Sequence, residues 1–363
     1  MSAAAALPPV PHADVDGIPD LVANLRARFQ SGETRPLAWR LEQLRKLESM
    51  LRDNEAAISQ ALTADLRKPA IEGFLMDISV VANEIAEMRK RLKSWMKPQR
   101  ATTPIALQPA KSFVMREPLG VVLIIAPWNY PVQLAMAPLA AALAAGNVAV
   151  VKPSEMTPHT SGVLAKLLAR TFAPDVVACV EGGVQETTAL LAQRFDHIFY
   201  TGNGRVGRVV MAAAAKHLTP VTLELGGKSP CIVDAECDLE VAARRIAWGK
   251  FVNCGQTCVA PDYVLVHQSR EEELVKLLAK NIRAFYGADP QRSPDLARIV
   301  SDQHVDRLAK LLESGTAAVG VNGAVARFEP SLVQKACEPL AFTMANLKRP
   351  RPLNAWPFAA TVP

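Results

Sequence analysis

Between Val121 and Gly227, short apolar runs alternate with segments of helical periodicity. The runs are VVLIIAP, NVAVVKP, VVACVEG, HIFYTG and PVTLELGG, and they are rich in β-branched residues. Between them lie VQLAMAPLAAALAA, TSGVLAKLLARTF, VQETTALLAQ and VGRVVMAAAAKHL, which repeat apolar positions at three and four residues. A strand that is apolar on both faces must be covered on both, and a helical crossover between successive strands makes them parallel. The pattern predicts a doubly wound α/β domain with a parallel sheet, of the kind that binds nucleotides at the carboxyl ends of its strands. No residue from Pro118 to Val151 is charged, which raises the question of a membrane span. Pro127, Asn129, Pro131, Pro138, Gly146 and Asn147 divide that stretch, so strand, turn, helix, turn and strand is the reading, with no membrane span.

Upstream, Pro19 to Lys97 reads as helical. LAWRLEQLRKLESMLRDNEAAISQAL and IEGFLMDISVVANEIAEMRKRLKSWM are amphipathic. KPQRATTPIALQPAKSFVMREP then breaks the pattern as an extended connection with room for two strands. Downstream of Lys228 the alternation restarts with CIVD, LEVAARRIAWGKFVN, YVLVH and REEELVKLLAKNIRAFY, a second α/β domain. The expected domains are therefore 1–97, the helical part of a cofactor domain; 98–116, a bridging connection; 117–225, the nucleotide-binding α/β domain; 226–320, a partial catalytic domain; and 321–363, a proline-rich tail read as disordered. A chain of 363 residues that is 50% hydrophobic can build two such cores. Its formal charge of +6 comes from interspersed acids and bases, an ordinary charged surface rather than a nucleic-acid footprint.

Several segments carry residues of chemical interest. HIFYTGNGRVGRVV offers Gly202-x-Gly204-x-x-Gly207 between strand and helix, as in dinucleotide sites, and Glu224 follows where a ribose-binding acid would stand. A glycine-rich turn without a ligand explains the glycines equally well. VVKPSEMTP puts Lys152 at a strand end and Ser154 and Glu155 at a helix start, suited to ribose or phosphate, or to a simple cap. APWNYP holds Asn129 in a rigid turn, where its amide can serve an oxyanion or the turn itself. Six cysteines, Cys179, Cys231, Cys237, Cys254, Cys258 and Cys337, are irregularly spaced, unlike a secreted disulfide framework. No leader of the secretory type precedes them, and reduced thiols in a cytoplasmic protein are expected. In NCGQTCVAPD, Cys254 and Cys258 stand at the spacing of one helical turn. No zinc-like set surrounds them. Spacing alone leaves a reactive thiol and an inert buried one both open.

Together, APWNYP, KPSE, YTGNGRVG, TLELGGKSP and NCGQTCVAPDY closely resemble the aldehyde dehydrogenase superfamily in order and spacing, most nearly its class 3 branch. The resemblance spans roughly Leu21 to Leu312. It implies NAD(P)-dependent oxidation of an aldehyde, with NAD or NADP as cofactor. It implies that Cys258 is the nucleophile, Glu224 the general base and Asn129 the oxyanion donor. Glu224 then leaves its ribose assignment and needs partial burial to raise its pKa. Lys152 and Glu155 match residues near the adenosine ribose, Gly202 and Gly207 the turn by the pyrophosphate, and Trp128 a cofactor-binding neighbour. Gly204 becomes coincidental, and Cys254 a packed neighbour.

The sequence departs from the family after about Gly320. No E-I-F-G-P segment follows, and the ending ANLKRPRPLNAWPFAATVP reads as a truncation continued by unrelated or frame-altered sequence. The implied consequences are uncovered apolar surface and a loosely held cofactor. The homodimer expected of the family comes into doubt, and a remnant that binds nucleotide at most is the alternative function.

Overall fold

A computed structural model describes residues 15–313, which fall into two units, Met1–Gly226 and Gly227–Pro363. The proline-rich tail and Cys337 lie outside the described residues. The first unit begins with the amphipathic segments, which form α1 (Ile18–Gln30), α2 (Leu37–Asp53), α3 (Glu55–Leu66), α4 (Ala70–Gly73), a π-helical turn (Phe74–Ile78) and α5 (Ser79–Trp95). The extended connection holds β1 (Gln99–Ala101) and β2 (Ser112–Val114), which pair antiparallel. The alternating region follows as β3 (Val121–Ile125), α6 (Gln133–Ala145), β4 (Val148–Lys152), α7 (Pro158–Thr171), β5 (Val177–Cys179), α8 (Val184–Leu191), β6 (His197–Thr201), α9 (Gly204–Ala215) and β7 (Val221–Glu224).

These strands form one parallel sheet in the order β5-β4-β3-β6-β7. The chain moves outward from β3 through β4 to β5, then returns to the other side of β3. The reversal makes a topological switch point between the carboxyl ends of β3 and β6, the place where open α/β sheets take ligands. Period-two alternation divides the strand side chains between two cores. Val122, Ile124, Ala149, Val151 and Val177 join α2, α3, α5, α6 and α7. Val121, Leu123, Ile125, Val148, Val150 and Ile198 join α1, α8 and α9 on the opposite face. Each fully buried aliphatic side chain contributes about 2 kcal/mol of transfer free energy, so both faces are required.

Pro138 lies inside α6, within the run expected to be helical. A proline there costs roughly 3 kcal/mol. The burial of Ala135, Met136, Leu139, Ala140 and Leu143 against the sheet offsets it. The helix stops at Gly146 (φ 89°), where a Cβ would stand 2.8 Å from the Arg40 Nε. Buried Arg40 donates from its guanidinium to the Ala144 carbonyl at this helix end. At the start of α7, Asp65 of α3 accepts from the His159 and Thr160 amides (3.1 and 2.7 Å) and from the Thr160 hydroxyl (2.7 Å).

The second unit contains β8 (Ser229–Val233), α10 (Leu239–Phe251), a 3-10 turn (Val252–Gly255), β9 (Pro261–Val266), α11 (Glu271–Tyr286) and α12 (Asp302–Glu313). β8 and β9 pair in parallel, with Cys231 opposite Val264. Their inward residues meet Leu239, Ala243, Phe251, Leu274, Leu278 and Ile282 in one core. Asp238 caps α10 by accepting from the Val241 amide at 3.1 Å. Among the described residues, no helix is long and apolar enough to cross a membrane.

Asp65 supplies the cap that the start of α7 lacks in its own sequence. Replacing it, Asp65→Ala, is expected to lower the stability of the first unit by about 2 kcal/mol, read as a drop in the urea midpoint at unchanged slope.

Candidate active site

In the second unit, Cys258 and Cys254 are separated in kind. Cys258 is exposed, whereas Cys254 is fully buried in the core. The expected helical-turn spacing does not hold, because the chain is not α-helical here. Asn253 (φ 52°), Cys254 (φ 56°) and Gly255 (φ 75°) take successive left-handed conformations. Non-glycine residues held there cost of order 1 kcal/mol or more each, and they persist only where neighbours hold them. Gln256 does so. Its Nε2 donates to the Asn253 and Arg298 carbonyls, both at 3.0 Å, and its Oε1 accepts from the Val300 amide at 3.0 Å. The turn carrying Cys258 is thereby tied to the segment at 298–300. Gly227 adds a close approach: a Cβ there would stand 2.5 Å from the Cys258 carbonyl oxygen. The Lys228 ammonium pairs with Asp262 at 3.0 Å at the start of β9.

In the first unit, strand register collects most of the other residues of interest at one edge. Ile125 pairs with Lys152 on one side and Tyr200 on the other, and Thr201 pairs with Glu224. Trp128 and Asn129 lie in the half-buried turn just past β3. Lys152 is buried, and its ammonium meets the exposed Glu155 carboxylate at 2.7 Å. Nearby, burial pushes the Cys179 thiol well above its ordinary range, with Glu181 adding to the shift. Glu224 is exposed rather than partly buried. Its backbone carbonyl accepts from the Gly202 amide at 2.9 Å.

Gly202 and Gly207 both have packing reasons. A Cβ at Gly202 would stand 2.2 Å from the Tyr200 hydroxyl, and one at Gly207 3.2 Å from Leu225. Burial raises the Tyr200 phenol, which donates to the Asn203 carbonyl at 3.2 Å. The turn nevertheless suits a phosphate. Asn203 accepts from the Val206 amide at 3.0 Å, and its carbonyl takes the Gly207 amide. Helix geometry then directs the Gly204 and Arg205 amides outward from the start of α9.

Sequence reasoning passed over Gln256 and Gly227, although both stand inside quoted motifs. It also singled out neither Lys68 nor Asp77. Both are fully buried, joined at 2.7 Å, and they contact the turn carrying Asn129. No periodicity signals such a pair.

A family model described as "Aldehyde dehydrogenase family" matches residues 4–331. The chain belongs to the aldehyde dehydrogenase family. It is 48% identical over 306 residues to "Aldehyde dehydrogenase family 3 member B1" of Rattus norvegicus, covering 84% of this chain and 65% of that one. It is 47% identical to "Aldehyde dehydrogenase, dimeric NADP-preferring" of Mus musculus, covering 84% and 68%. Among solved structures, it is similar to a substrate-bound AldH of Staphylococcus aureus (TM-score 0.79, 45% identity, 82% of this chain and 65% of that one). It is also similar to an indole-3-acetaldehyde dehydrogenase in complex with NAD+ (TM-score 0.75, 27% identity, 84% and 63%). The chain thus spans about two-thirds of the length of the relatives it matches.

The Gln256 clamp gives a direct expectation. Gln256→Ala removes three hydrogen bonds and should cost the second unit about 2 kcal/mol. Amide exchange across 252–258 should rise at least as much as exchange elsewhere in the unit. Unchanged exchange there would mean that the left-handed turn holds itself.

Proposed function

We propose that this chain oxidises an aldehyde to a carboxylate with NAD or NADP. The reading rests on the exposed Cys258 thiol, held at the end of a clamped, strained turn in a chain of this family. The Cys258 thiolate adds to the aldehyde carbon and forms a tetrahedral thiohemiacetal. Its oxyanion accepts hydrogen bonds from the Asn129 side-chain amide and the Cys258 backbone N–H. Losing one such donor typically costs about 3 kcal/mol of barrier. Held by the Gly202–Gly207 turn, Lys152 and Glu155, a dinucleotide would supply the acceptor for the hydride that leaves the carbonyl carbon. A thioester on Cys258 remains, and Glu224 takes a proton from the water that hydrolyses it. The carboxylate departs and the thiol is restored.

Lys152 and Glu155 are assigned to the adenosine ribose, the Gly202–Gly207 turn to the pyrophosphate, and Trp128 to the cofactor side of the Asn129 turn. The Lys152–Glu155 ion pair partly neutralises the Glu155 carboxylate, which would repel a 2′-phosphate. Either cofactor is therefore assigned. A cytoplasmic setting completes the reading.

The test is the reduced-cofactor absorbance with medium-chain and aromatic aldehydes. Cys258→Ser should abolish turnover, while Cys254→Ala should retain most of it in the folded fraction. Glu224→Gln should leave an acylated chain, heavier by one acyl group on Cys258 by mass spectrometry. Absence of turnover by the unsubstituted chain, with cofactor still raising its melting temperature, would select the alternative of a nucleotide-binding remnant.

A further inference from the structure

Lys68 and Asp77 form an ion pair in which both side chains are wholly excluded from solvent. Burying two charges is costly, and apolar replacements of buried pairs are often neutral or stabilising. Stability alone is a poor explanation for keeping one. The bonds of this pair point elsewhere. The Lys68 ammonium donates to Asp77 Oδ2 at 2.7 Å and to the Asn129 backbone carbonyl at 3.1 Å, and it stands 4.4 Å from the centre of the Tyr130 ring. Its three N–H groups thus have a carboxylate, a carbonyl and a ring face to meet. Asp77 Oδ1 accepts from the Val132 and Gln133 amides, at 3.2 and 3.3 Å. The pair therefore grips the turn from Asn129 to Gln133 at both ends. The lysine comes from the connection after α3 and the aspartate from the π-helical turn. A π turn rotates the residues that follow it off their α-helical positions, and such turns recur at functional sites.

We propose that Lys68 and Asp77 are positioning residues, whose buried pair fixes the Asn129–Gln133 turn so that the Asn129 amide is preset for the oxyanion. The role rests on the aldehyde-oxidising reading above, whereas the grip on the turn does not. The pair acts through Asn129.

The full chain carrying Lys68→Met and Asp77→Asn together tests this. The amide at 77 can still accept from Val132 and Gln133, but the charge and the bond to the Asn129 carbonyl are gone. Deuterium exchange across 126–133 should rise by about tenfold or more, while exchange in β4 and β5 stays unchanged. Unchanged exchange in 126–133 overturns the proposal whether or not the chain turns over. In the kinetic arm, kcat should fall about tenfold, less than the hundredfold or more expected for Asn129→Ala. The dissociation constant for the cofactor should stay within about twofold. In an Asn129→Ala background the double substitution should lower kcat little further, because it acts through that amide. A full additive loss there would show a merely structural role and overturn the proposal. No turnover by the unsubstituted chain, or an Asn129→Ala variant as fast as the unsubstituted chain, sinks the functional reading and with it the role of the pair. If the double variant does not fold, site-resolved exchange of the unsubstituted chain decides. The Val132 and Gln133 amides open α6 and have no acceptor within it. Protection at both reports Asp77, and exchange as fast as in the exposed β1–β2 connection overturns the grip.

Discussion

The register of β3 against β4 and β6 is the constraint on which the first unit depends. Parallel strands apolar on both faces have two cores to satisfy at once. A one-residue slip would turn Val122 and Ile124 from one core toward the other. With Val121 opposite Val148 and Ile125 opposite both Lys152 and Tyr200, the strand ends are level. Candidate site residues then need only stand at or just past a strand's last residue to share an edge. Lys152, the Asn129 turn, Gly202 and Glu224 do so because apolar packing elsewhere fixes the register.

Much of this was legible in the sequence. The strands of the parallel sheet and their crossover helices follow from buried apolar runs and helical periodicity, which local sequence records directly. The segment β8, α10, β9 and α11 was legible for the same reason. The turn carrying Cys258 was not. Spacing suggested neighbouring cysteines on a helix, but left-handed backbone at Asn253 and Cys254 reverses the chain and sends one thiol inward. Such backbone is set by bonds to residues some 40 positions away, here the Arg298 carbonyl and Val300 amide on Gln256. Lys68 and Asp77 were illegible for a related reason. In a charged amphipathic segment a lysine and an aspartate read as solvated, and only the tertiary fold plus a π turn puts them inside.

The glycines show how packing and function can share a residue. Gly202 and Gly207 were read as room for a pyrophosphate, and the same atoms are missing for the sake of Tyr200 and Leu225. These accounts do not compete. Close approach of α9 to its flanking strands sets where the helix start lies, and that start carries the outward amides. A side chain at either glycine would move the helix first and affect a ligand second. Gly227 is different, since its neighbour is the carbonyl of Cys258 itself. There the missing Cβ bears directly on where the thiol-bearing backbone can lie.

Each proposed reactive group is held by something within its own unit that is not itself reactive. Asn129 has the Lys68–Asp77 pair on its backbone carbonyl and on the amides that follow. Glu224 has its carbonyl on the Gly202 amide, so the proposed base and the glycine turn are one hydrogen bond apart. Cys258 has Gln256 two residues before it and Gly227 against its carbonyl. Backbone is what these contacts fix in every case, and the Cys258 thiol at the end of its fixed turn is exposed. That division suits a reaction in which one thiol must serve as nucleophile, thioester carrier and leaving group in turn. A side chain locked by its own hydrogen bonds would favour one of those states, whereas a locked backbone with an open side chain can serve them all.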